Sequence, residues 1–168
     1  SPVQVRYMEA NEPPFRVIVP GKVFRNEATD ATHEAQFTQV EGLYVDTDVT
    51  LGTLKGVLEV FFSKLLGKET EVRLRPGYFP FVEPGVEVDM QCFKCSGAGC
   101  SLCKGTGWIE VMGAGMVHPT VLQNARINPR DWQGFAFGGG IERLAMLRYG
   151  IPDIRLFHNG GLRFVEQF

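Results

Sequence analysis

The chain between Phe24 and Gly42 reads FRNEATDATHEAQFTQVEG. Its functional side chains stand two residues apart on both sides of a polar loop: Arg25 and Glu27 precede the loop, and Phe37, Gln39 and Glu41 follow it. Side chains two residues apart share one face of a strand. If segments 22–27 and 36–45 pair as a hairpin, a guanidinium, two carboxylates, a carboxamide and an aromatic ring lie on one sheet surface.

The polar groups of this hairpin suit particular ligands. An arginine fork suits a phosphate, an aromatic face suits a nucleobase, and a Gln/Glu pair suits an ammonium group. The hairpin therefore favours a site for a nucleotide beside an amino acid. The alternative is the solvated face of an amphipathic antiparallel sheet, which also carries alternating charges.

A second informative segment is GFAFGGGIERL, residues 134–144. Its pattern predicts a strand that leads directly into a helix with Glu142 and Arg143 in the first turns. Glycines in the strand leave space for a planar ligand to approach the backbone, and Arg143 can cover that ligand. Junctions of this kind occur in many nucleotide sites.

The remaining pattern predicts a strand-rich chain with few helices. Thr50 caps a helix that ends at Gly67 and has apolar residues at spacings of three and four. Pro119 begins a second helix, and the apolar stripe of the last helix ends near Gly150. Strands linked by hairpins indicate an α+β fold with an antiparallel sheet. Alternation predicts these strands at 71–75, 78–83, 86–90 and 107–112.

Length and composition predict one domain. The chain has 168 residues, of which 44% are hydrophobic, which is enough for one sizeable core. The formal net charge of -2 gives no sign of a basic nucleic-acid surface. No apolar run approaches the roughly eighteen residues of a membrane span and no leader pattern opens the chain, so we expect a cytoplasmic protein without a membrane partner. Because the chain opens on serine, we expect a fragment of a longer protein.

Two copies of the pattern C-x-x-C-x-G-x-G follow each other at residues 92–107, and each looks like a zinc knuckle. Glycines permit the tight turn that brings backbone N–H groups toward sulfur. Four thiolates complete a closed tetrahedral site that leaves no position for water, so we predict a structural zinc ion. All four cysteines of the chain belong to it: Cys92, Cys95, Cys100 and Cys103.

Other interpretations of the cysteine repeat are a redox dithiol and a pair of disulfides. Redox pairs favour a helix N-terminus after a strand, whereas glycines surround both pairs here. The repeat is also similar to the zinc modules of DnaJ-type chaperones. Its single short copy between two predicted strands favours a decorated hairpin loop over residues 91–107.

In this order and at this distance, segments 24–42 and 134–144 resemble motifs 2 and 3 of class II aminoacyl-tRNA synthetases. The resemblance covers nearly the whole chain and implies a class II antiparallel sheet flanked by helices, with the four-cysteine zinc hairpin as an insertion. Nothing corresponds to motif 1, so we expect a partial, N-terminally truncated catalytic domain over 1–168. Shorter strings narrow the resemblance to the catalytic core of the phenylalanyl-tRNA synthetase alpha-subunit family: RYM (6–8), VFRNE (23–27), THE (32–34), QVEG (39–42), YFPF (78–81), GAGMVHP (113–119) and MLRYG (146–150).

The resemblance implies that L-phenylalanine is activated with ATP and then passed to tRNA(Phe). It places Arg25 between the substrate carboxylate and the alpha-phosphate, and Glu27 at the adenine amino group. Phe37 stacks on one face of adenine, while Arg143 covers the other and reaches the gamma-phosphate. His33 contacts the outer phosphates, a solvated loop histidine being its alternative.

The resemblance also implies two sets of phenylalanine-binding residues. The substrate ammonium is bound by Gln39, Glu41 and Ser1. In the ring pocket Ala136 forms the floor, where a small residue leaves room for a whole phenyl group. An ordinary aromatic core is the alternative for the two phenylalanines of that pocket. The ring pocket consists of Phe79, Phe81, Val82, Ala136 and Gly138.

Metal ions and partners complete the implied function. Mg²⁺ accompanies ATP and needs carboxylates at the phosphate end. Glu110, which shares the parity of Trp108 and Met112, is the first candidate and Glu83 the second, with ion pairs on the sheet as the alternative for both. We expect His118 to be a capping residue.

The resemblance further implies a beta subunit in an alpha2-beta2 assembly. Two other functions stay open at this stage. One is a truncated core or paralogue that binds phenylalanine and ATP without charging tRNA. The other is a zinc-knuckle module that binds RNA or protein.

Overall fold

The computed structural model describes residues 1–168 as six strands with helices before, between and after them. The structure contains both strands and helices, and the strand pairs described below are antiparallel. Both features confirm the α+β prediction. None of the helices is long and apolar enough to cross a membrane. In chain order the elements are α1 (Pro2–Ala10), β1 (Phe15–Phe24), β2 (Gln36–Asp46), α2 (Leu51–Leu66), β3 (Val72–Pro76), β4 (Val82–Gln91), β5 (Trp108–Val117), α3 (Pro119–Asn124), β6 (Gln133–Gly140), α4 (Ile141–Tyr149), a 3₁₀ helix (Ile154–Phe157) and α5 (Leu162–Val165).

The six strands form one sheet in the order β1-β2-β6-β5-β4-β3. Strand β4 pairs antiparallel with β3, and Val72 lies opposite Met90. Strand β5 pairs antiparallel with β4 and with β6, and Gly113 lies opposite Gly138 in the second pair. The long connection between β4 and β5 contains the cysteine repeat, as predicted for a hairpin insertion.

The chain divides into two compact units. Unit 1 comprises Ser1–Val19 and Glu41–Gly138, and unit 2 comprises Pro20–Val40 and Gly139–Phe168. Strands β1, β2 and β6 contribute residues to both units. A single catalytic domain stays a prediction, and each unit is described by itself below.

Helix α2 confirms the capping pattern read from the sequence. Thr50 and Thr53 form a reciprocal capping box, in which the Thr50 hydroxyl accepts from the Thr53 N–H at 3.1 Å. The helix ends at Gly67, whose φ of 71° is the left-handed conformation that glycine adopts at helix ends. Its apolar stripe, Leu54, Leu58 and Phe62, is completely buried.

A second apolar cluster of unit 1 gathers around α1. Met8 of this helix is buried together with Phe15, Leu43 and Val45 from the first two strands. The sequence analysis did not predict α1, because Pro2 begins it without a side-chain cap and only Gln4 and Met8 are buried. Two buried positions in nine residues make too weak a periodic signal.

Unit 2 contains α4 and the segment that follows it. The helix ends at Gly150, with a φ of 68°, as the sequence predicts. Met146 of α4 packs with Ile151 and Ile154 in a small apolar cluster. The Ile154 N–H also donates to the carbonyl of Ala31 at 2.9 Å, which ties the loop before β2 to the 3₁₀ helix.

Two predicted strands were wrong in extent. Segment 22–27 leaves the strand at Phe24, because the chain turns so that the Glu27 N–H donates to the Arg25 carbonyl at 3.0 Å. Segment 78–83 is mostly a turn, in which the Val82 N–H donates to the Phe79 carbonyl at 3.2 Å. The predicted strands 71–75, 86–90 and 107–112 all lie, to within a residue at their ends, inside β3, β4 and β5.

The prediction that Glu110 and Met112 lie on the same face of the sheet was also wrong. Met112 lies opposite Val88 while Glu110 lies opposite Asp89, so β5 has one more residue than β4 across this step. Such a bulge reverses the faces of the residues on its two sides. Glu110 therefore shares a face with Trp108 but not with Met112.

The buried stripe of α2 gives a test of the fold. Leu58 has no exposed surface, so Leu58→Ala should lower the free energy of unfolding by about 2–5 kcal/mol through lost burial and a residual cavity. Val57 is 41% exposed on the same helix, and Val57→Ala should change it by no more than about 0.5 kcal/mol. Urea unfolding of the two variants measures the difference, and equal losses would contradict the placement of the stripe.

Candidate functional site

Three of the predicted nucleotide residues gather in unit 2. The Arg25 guanidinium lies 5.0 Å from the centre of the Phe37 ring. Its Nη1 also lies 4.0 Å from a Glu27 carboxylate oxygen. Both charged side chains are substantially exposed, so the group is open to a ligand from solvent. A cation, a carboxylate and an aromatic face can bind a phosphate and a base together.

The junction between β6 and α4 lies beside the same aromatic ring. A β-carbon added at Gly140 would stand 3.7 Å from Cδ2 of Phe37 and 3.8 Å from Cβ of Arg143. The bare backbone at this position therefore faces both residues that the sequence analysis assigns to the two faces of adenine. In the first turn of α4, Glu142 is buried, and its carboxylate accepts from the Thr38 N–H.

The predicted phosphate ligand His33 lies in the loop before β2. Its Nδ1 lies 2.9 Å from a carboxylate oxygen of Asp30. Asp30 also accepts from the backbone N–H groups of Thr32 and His33. These hydrogen bonds, that of Thr32 foremost, hold the pKa of the Asp30 carboxyl well below its usual range. The ring is thus oriented by a carboxylate that stays ionised.

Glu41, the carboxylate predicted to bind the substrate ammonium, lies in unit 1. Glu41 is buried, and one of its oxygens accepts from the amino-terminal ammonium of Ser1 at 2.9 Å. The Ser1 hydroxyl donates to the same oxygen at 3.1 Å. Gln4 was missed, although its Nε2 donates to the other oxygen at 2.7 Å. Its position one helical turn after Ser1 would have indicated it only if α1 had been recognised.

The residues of the predicted ring pocket lie in unit 1, where two of them pack on the glycine backbone of β5. The rings of Phe79 and Phe81 have centroids 6.2 Å apart and are tilted by 30°. A β-carbon at Gly113 would stand 2.9 Å from the Phe79 ring, and one at Gly115 would stand 2.8 Å from Val82. Glycine is required at both positions because the ring and the valine pack directly on the backbone.

The register of β5 and β6 extends this floor. Gly113 lies opposite Gly138, and Gly115 lies opposite Ala136. Ala136 also packs against the apolar cluster around α1. The structure therefore brings Ala136 and Gly138, two small residues of the predicted pocket, onto one face with Gly113 and Gly115.

The first Mg²⁺ candidate, Glu110, belongs to a charged network on β3, β4 and β5. One of its oxygens accepts from Nη2 of Arg75 at 2.7 Å. Arg75 and Arg73 both donate to Asp89, which is almost completely buried. Burial raises the pKa of the Asp89 carboxyl, but the two arginines outweigh it and lower the pKa overall. In the alternative interpretation, an ion pair on the sheet, the partner of Glu110 is therefore Arg75.

The second Mg²⁺ candidate, Glu83, lies 3.1 Å from Nε2 of His118 and is largely exposed. The other ring nitrogen of His118 accepts from the Thr120 N–H at 3.1 Å. His118 therefore caps α3, which confirms the capping role expected from the sequence. The same ring links the cap to Glu83.

The four cysteines converge at the end of the β4–β5 hairpin. Their sulfur atoms all lie within 4.8 Å of one another. The pairs Cys92–Cys100 and Cys95–Cys103 are 3.7 and 3.8 Å apart. Four sulfurs at about 2.3 Å from a tetrahedral ion would be about 3.8 Å apart, so the cluster fits zinc.

Backbone amides point at the sulfur atoms in both halves of the repeat. The Gly99 N–H donates to Cys95 and the Gly107 N–H donates to Cys103, both at 3.2 Å. Burial alone would raise the pKa of the Cys103 thiol, but the amides of Cys100 and Gly107 lower it to about 6. Burial raises the pKa of the Cys92 thiol to about 11. Amides of this kind stabilise metal-bound thiolates.

The whole chain is similar to known proteins. The sequence profile described as tRNA synthetases class II core domain (F) matches residues 1–168. The phenylalanine--tRNA ligase alpha subunit of Bacillus subtilis (strain 168) is 58% identical over 170 residues, which cover 100% of this chain and 49% of that protein. The alpha subunit of Enterococcus faecalis is 59% identical over 171 residues, with 100% and 49% covered. The chain thus spans about half the length of these curated relatives.

A solved structure shows the same fold at lower identity. The pyrrolysyl tRNA synthetase of Desulfitobacterium hafniense superposes with a TM-score of 0.58 at 20% identity, over 91% of this chain and 48% of that one. The relatives confirm the resemblance to phenylalanyl-tRNA synthetase alpha subunits that the sequence strings indicate. Matched by the profile over its whole length, the chain belongs to the family of class II tRNA synthetase core domains (F).

Proposed function

We propose that this chain is the catalytic core of an alpha subunit that activates L-phenylalanine with ATP and transfers it to tRNA(Phe). The observation that carries the proposal is the grouping of Arg25, Glu27 and Phe37 in unit 2. A guanidinium suits a phosphate, a carboxylate can accept from an amino group, and an aromatic face suits a base, so these residue types suit an adenylate. The relatives that match the whole chain are named phenylalanine--tRNA ligase alpha subunits, which supports this substrate.

The proposed chemistry needs charge neutralisation and orientation rather than a covalent side chain. A carboxylate oxygen of phenylalanine attacks the alpha-phosphorus of ATP, and the bond from that phosphorus to the bridging oxygen breaks to release pyrophosphate. Arg25 contacts both the attacking carboxylate and the alpha-phosphate, where negative charge develops. A hydroxyl of the terminal adenosine of tRNA then attacks the acyl carbon, and AMP leaves.

Unit 2 supplies the proposed nucleotide contacts. Glu27 accepts a hydrogen bond from the adenine amino group, and adenine stacks on Phe37, whose ring lies 5.0 Å from the Arg25 guanidinium. Arg143 covers the opposite face and reaches the gamma-phosphate. His33, oriented by Asp30, contacts the outer phosphates.

The proposed amino-acid contacts comprise a charged group and an apolar group. Glu41 is buried and accepts from the Ser1 hydroxyl and from Nε2 of Gln4, and it is proposed to accept from the substrate ammonium in the same way. Gln39 lies two residues before it on β2 and is proposed to bind the same ammonium. The phenyl ring enters the apolar pocket, whose residues are Phe79, Phe81, Val82, Ala136 and Gly138.

Two metals are part of the proposal. Mg²⁺, when bound with ATP, neutralises the triphosphate charge, and Glu110 and Glu83 are the proposed carboxylates for it. Zinc is proposed at the four cysteines because the sulfur separations match a tetrahedral ion. Four protein ligands leave no open position, so the zinc stabilises the hairpin and takes no part in the reaction. A beta subunit in an alpha2-beta2 assembly is the proposed protein partner.

Arg25→Ala tests the proposed role of the guanidinium. In the full-length enzyme assembled with its beta subunit, phenylalanine-dependent ATP–pyrophosphate exchange should fall about 10²- to 10³-fold, because a charge partner of the transition state is lost. Arg130→Ala, at an exposed position of unit 1, is the matched control and should leave the exchange rate unchanged. A normal exchange rate for the Arg25→Ala enzyme would contradict the proposed mechanism.

Ala136→Gly tests the floor of the ring pocket. Removing the methyl group should admit para-substituted phenylalanines, with a gain in relative kcat/KM of about tenfold, since one methylene of pocket space is worth about 1–3 kcal/mol. The control is Ala114→Gly, because Ala114 is buried next to Gly113 on the opposite face of β5. If both variants keep the parent preference for phenylalanine, Ala136 is not the floor.

Cys100→Ser tests the zinc site. The variant should lose stoichiometric zinc and melt at a lower temperature, because a short glycine-rich loop has no core of its own. Adenylate formation by the enzyme that stays folded should be largely intact. Ser101→Ala in the same loop should keep one zinc per chain. Metal analysis that finds no zinc in the parent protein, purified under reducing conditions without chelator, would refute the site.

A further inference from the structure

Glu142 is a buried carboxylate that the proposed reaction does not use. It is 8% exposed and lies in the first turn of α4. Its Oε1 and Oε2 atoms accept from the backbone N–H of Thr38 at 2.8 and 3.0 Å. Thr38 lies on β2, 104 residues earlier in the chain. Both residues belong to unit 2.

A buried carboxylate is unfavourable unless hydrogen bonds and local charge compensate it. Here the Thr38 N–H donates to both carboxylate oxygens, and Glu142 lies in the first turn of α4, where a helix favours acidic residues. A charge-assisted hydrogen bond is shorter and stronger than one between neutral groups. The contact therefore holds the start of α4 against one fixed point of β2.

The two residues that this hydrogen bond joins are next in the chain to the two residues proposed for the faces of adenine. Phe37 immediately precedes Thr38, and Arg143 immediately follows Glu142. Gly140 lies beside both, since a β-carbon there would be 3.7 Å from Cδ2 of Phe37 and 3.8 Å from Cβ of Arg143. The hydrogen bond between Thr38 and Glu142 therefore joins β2 to α4 one residue away from Phe37 and from Arg143.

We infer that Glu142 is a positioning residue that sets the separation between the Phe37 ring and the Arg143 side chain, and so the affinity for the adenine base. The inference rests on the proposed function, which assigns those two residues to adenine. Glu142 itself contacts no ligand in this arrangement. Its effect reaches the base through the backbone of β2 and the first turn of α4.

Glu142→Ala in the full-length enzyme tests the inference. The KM for ATP should rise about tenfold, the factor that corresponds to about 1.4 kcal/mol, while the KM for phenylalanine stays within twofold of the parent value, as expected for ~0.4 kcal/mol or less. Glu142→Gln keeps an oxygen acceptor for the Thr38 N–H and should restore most of the ATP affinity. Glu59→Ala removes an exposed glutamate of α2 and should change neither constant.

Two further variants separate the possible failures. Glu142→Asp keeps the charge but shortens the side chain, so it should raise the KM for ATP even if Glu142→Ala does not fold. If Phe37→Ala raises the KM for ATP while folded Glu142→Asp and Glu142→Ala enzymes match the parent, the positioning role is overturned and the nucleotide site stands. If Phe37→Ala itself leaves the KM for ATP unchanged, the proposed adenine contact fails. Equal losses in kcat, in both KM values and in melting temperature would reduce Glu142 to a general stabilising role and overturn the inference.

Discussion

The antiparallel pairing of β5 with β4 and β6 is the interaction on which the rest of unit 1 depends. It places Gly113 opposite Gly138 and Gly115 opposite Ala136, so that small residues from two strands meet on one face. Because no large side chain rises from this floor, the ring of Phe79 and the side chain of Val82 lie directly on the backbone. The proposed phenyl pocket is therefore a consequence of register, which a shift by one residue would remove.

The same pairing carries the cysteine cluster at the far end of β4 and β5 from the proposed pocket. Strands β4 and β5 extend beyond the pocket to the cysteine hairpin, whose thiols are brought together by their own turns. Corresponding residues in the two repeats have similar left-handed φ values, 86° at Gly97 and 80° at Gly105. The two halves of the hairpin thus repeat one local geometry, and the cluster depends on the strands only for the position of its ends.

Three of the predictions were confirmed because their signals are local. The cysteine spacing, the cap at Thr50 and the glycine at position 67 each act within a few residues, and the structure confirms all three. The predicted strand 22–27 was wrong in extent because a turn, and not a continued strand, brings Glu27 close to Arg25. The prediction that Met112 shares a face with Glu110 was wrong because a bulge depends on the pairing with the partner strand.

The sequence by itself determined the family, the candidate residues and the cysteine cluster, because these follow from residue type and short spacing. Only the tertiary structure decided which distant groups meet. Gln4 joins Glu41 across 37 residues, and Glu142 joins Thr38 across 104. Neither partner is marked by its neighbours in the chain, since a hydrogen bond between remote segments depends on how whole elements pack. The physical reason is that burial leaves each of these carboxylates in need of a donor, and packing alone selects which donor is within reach.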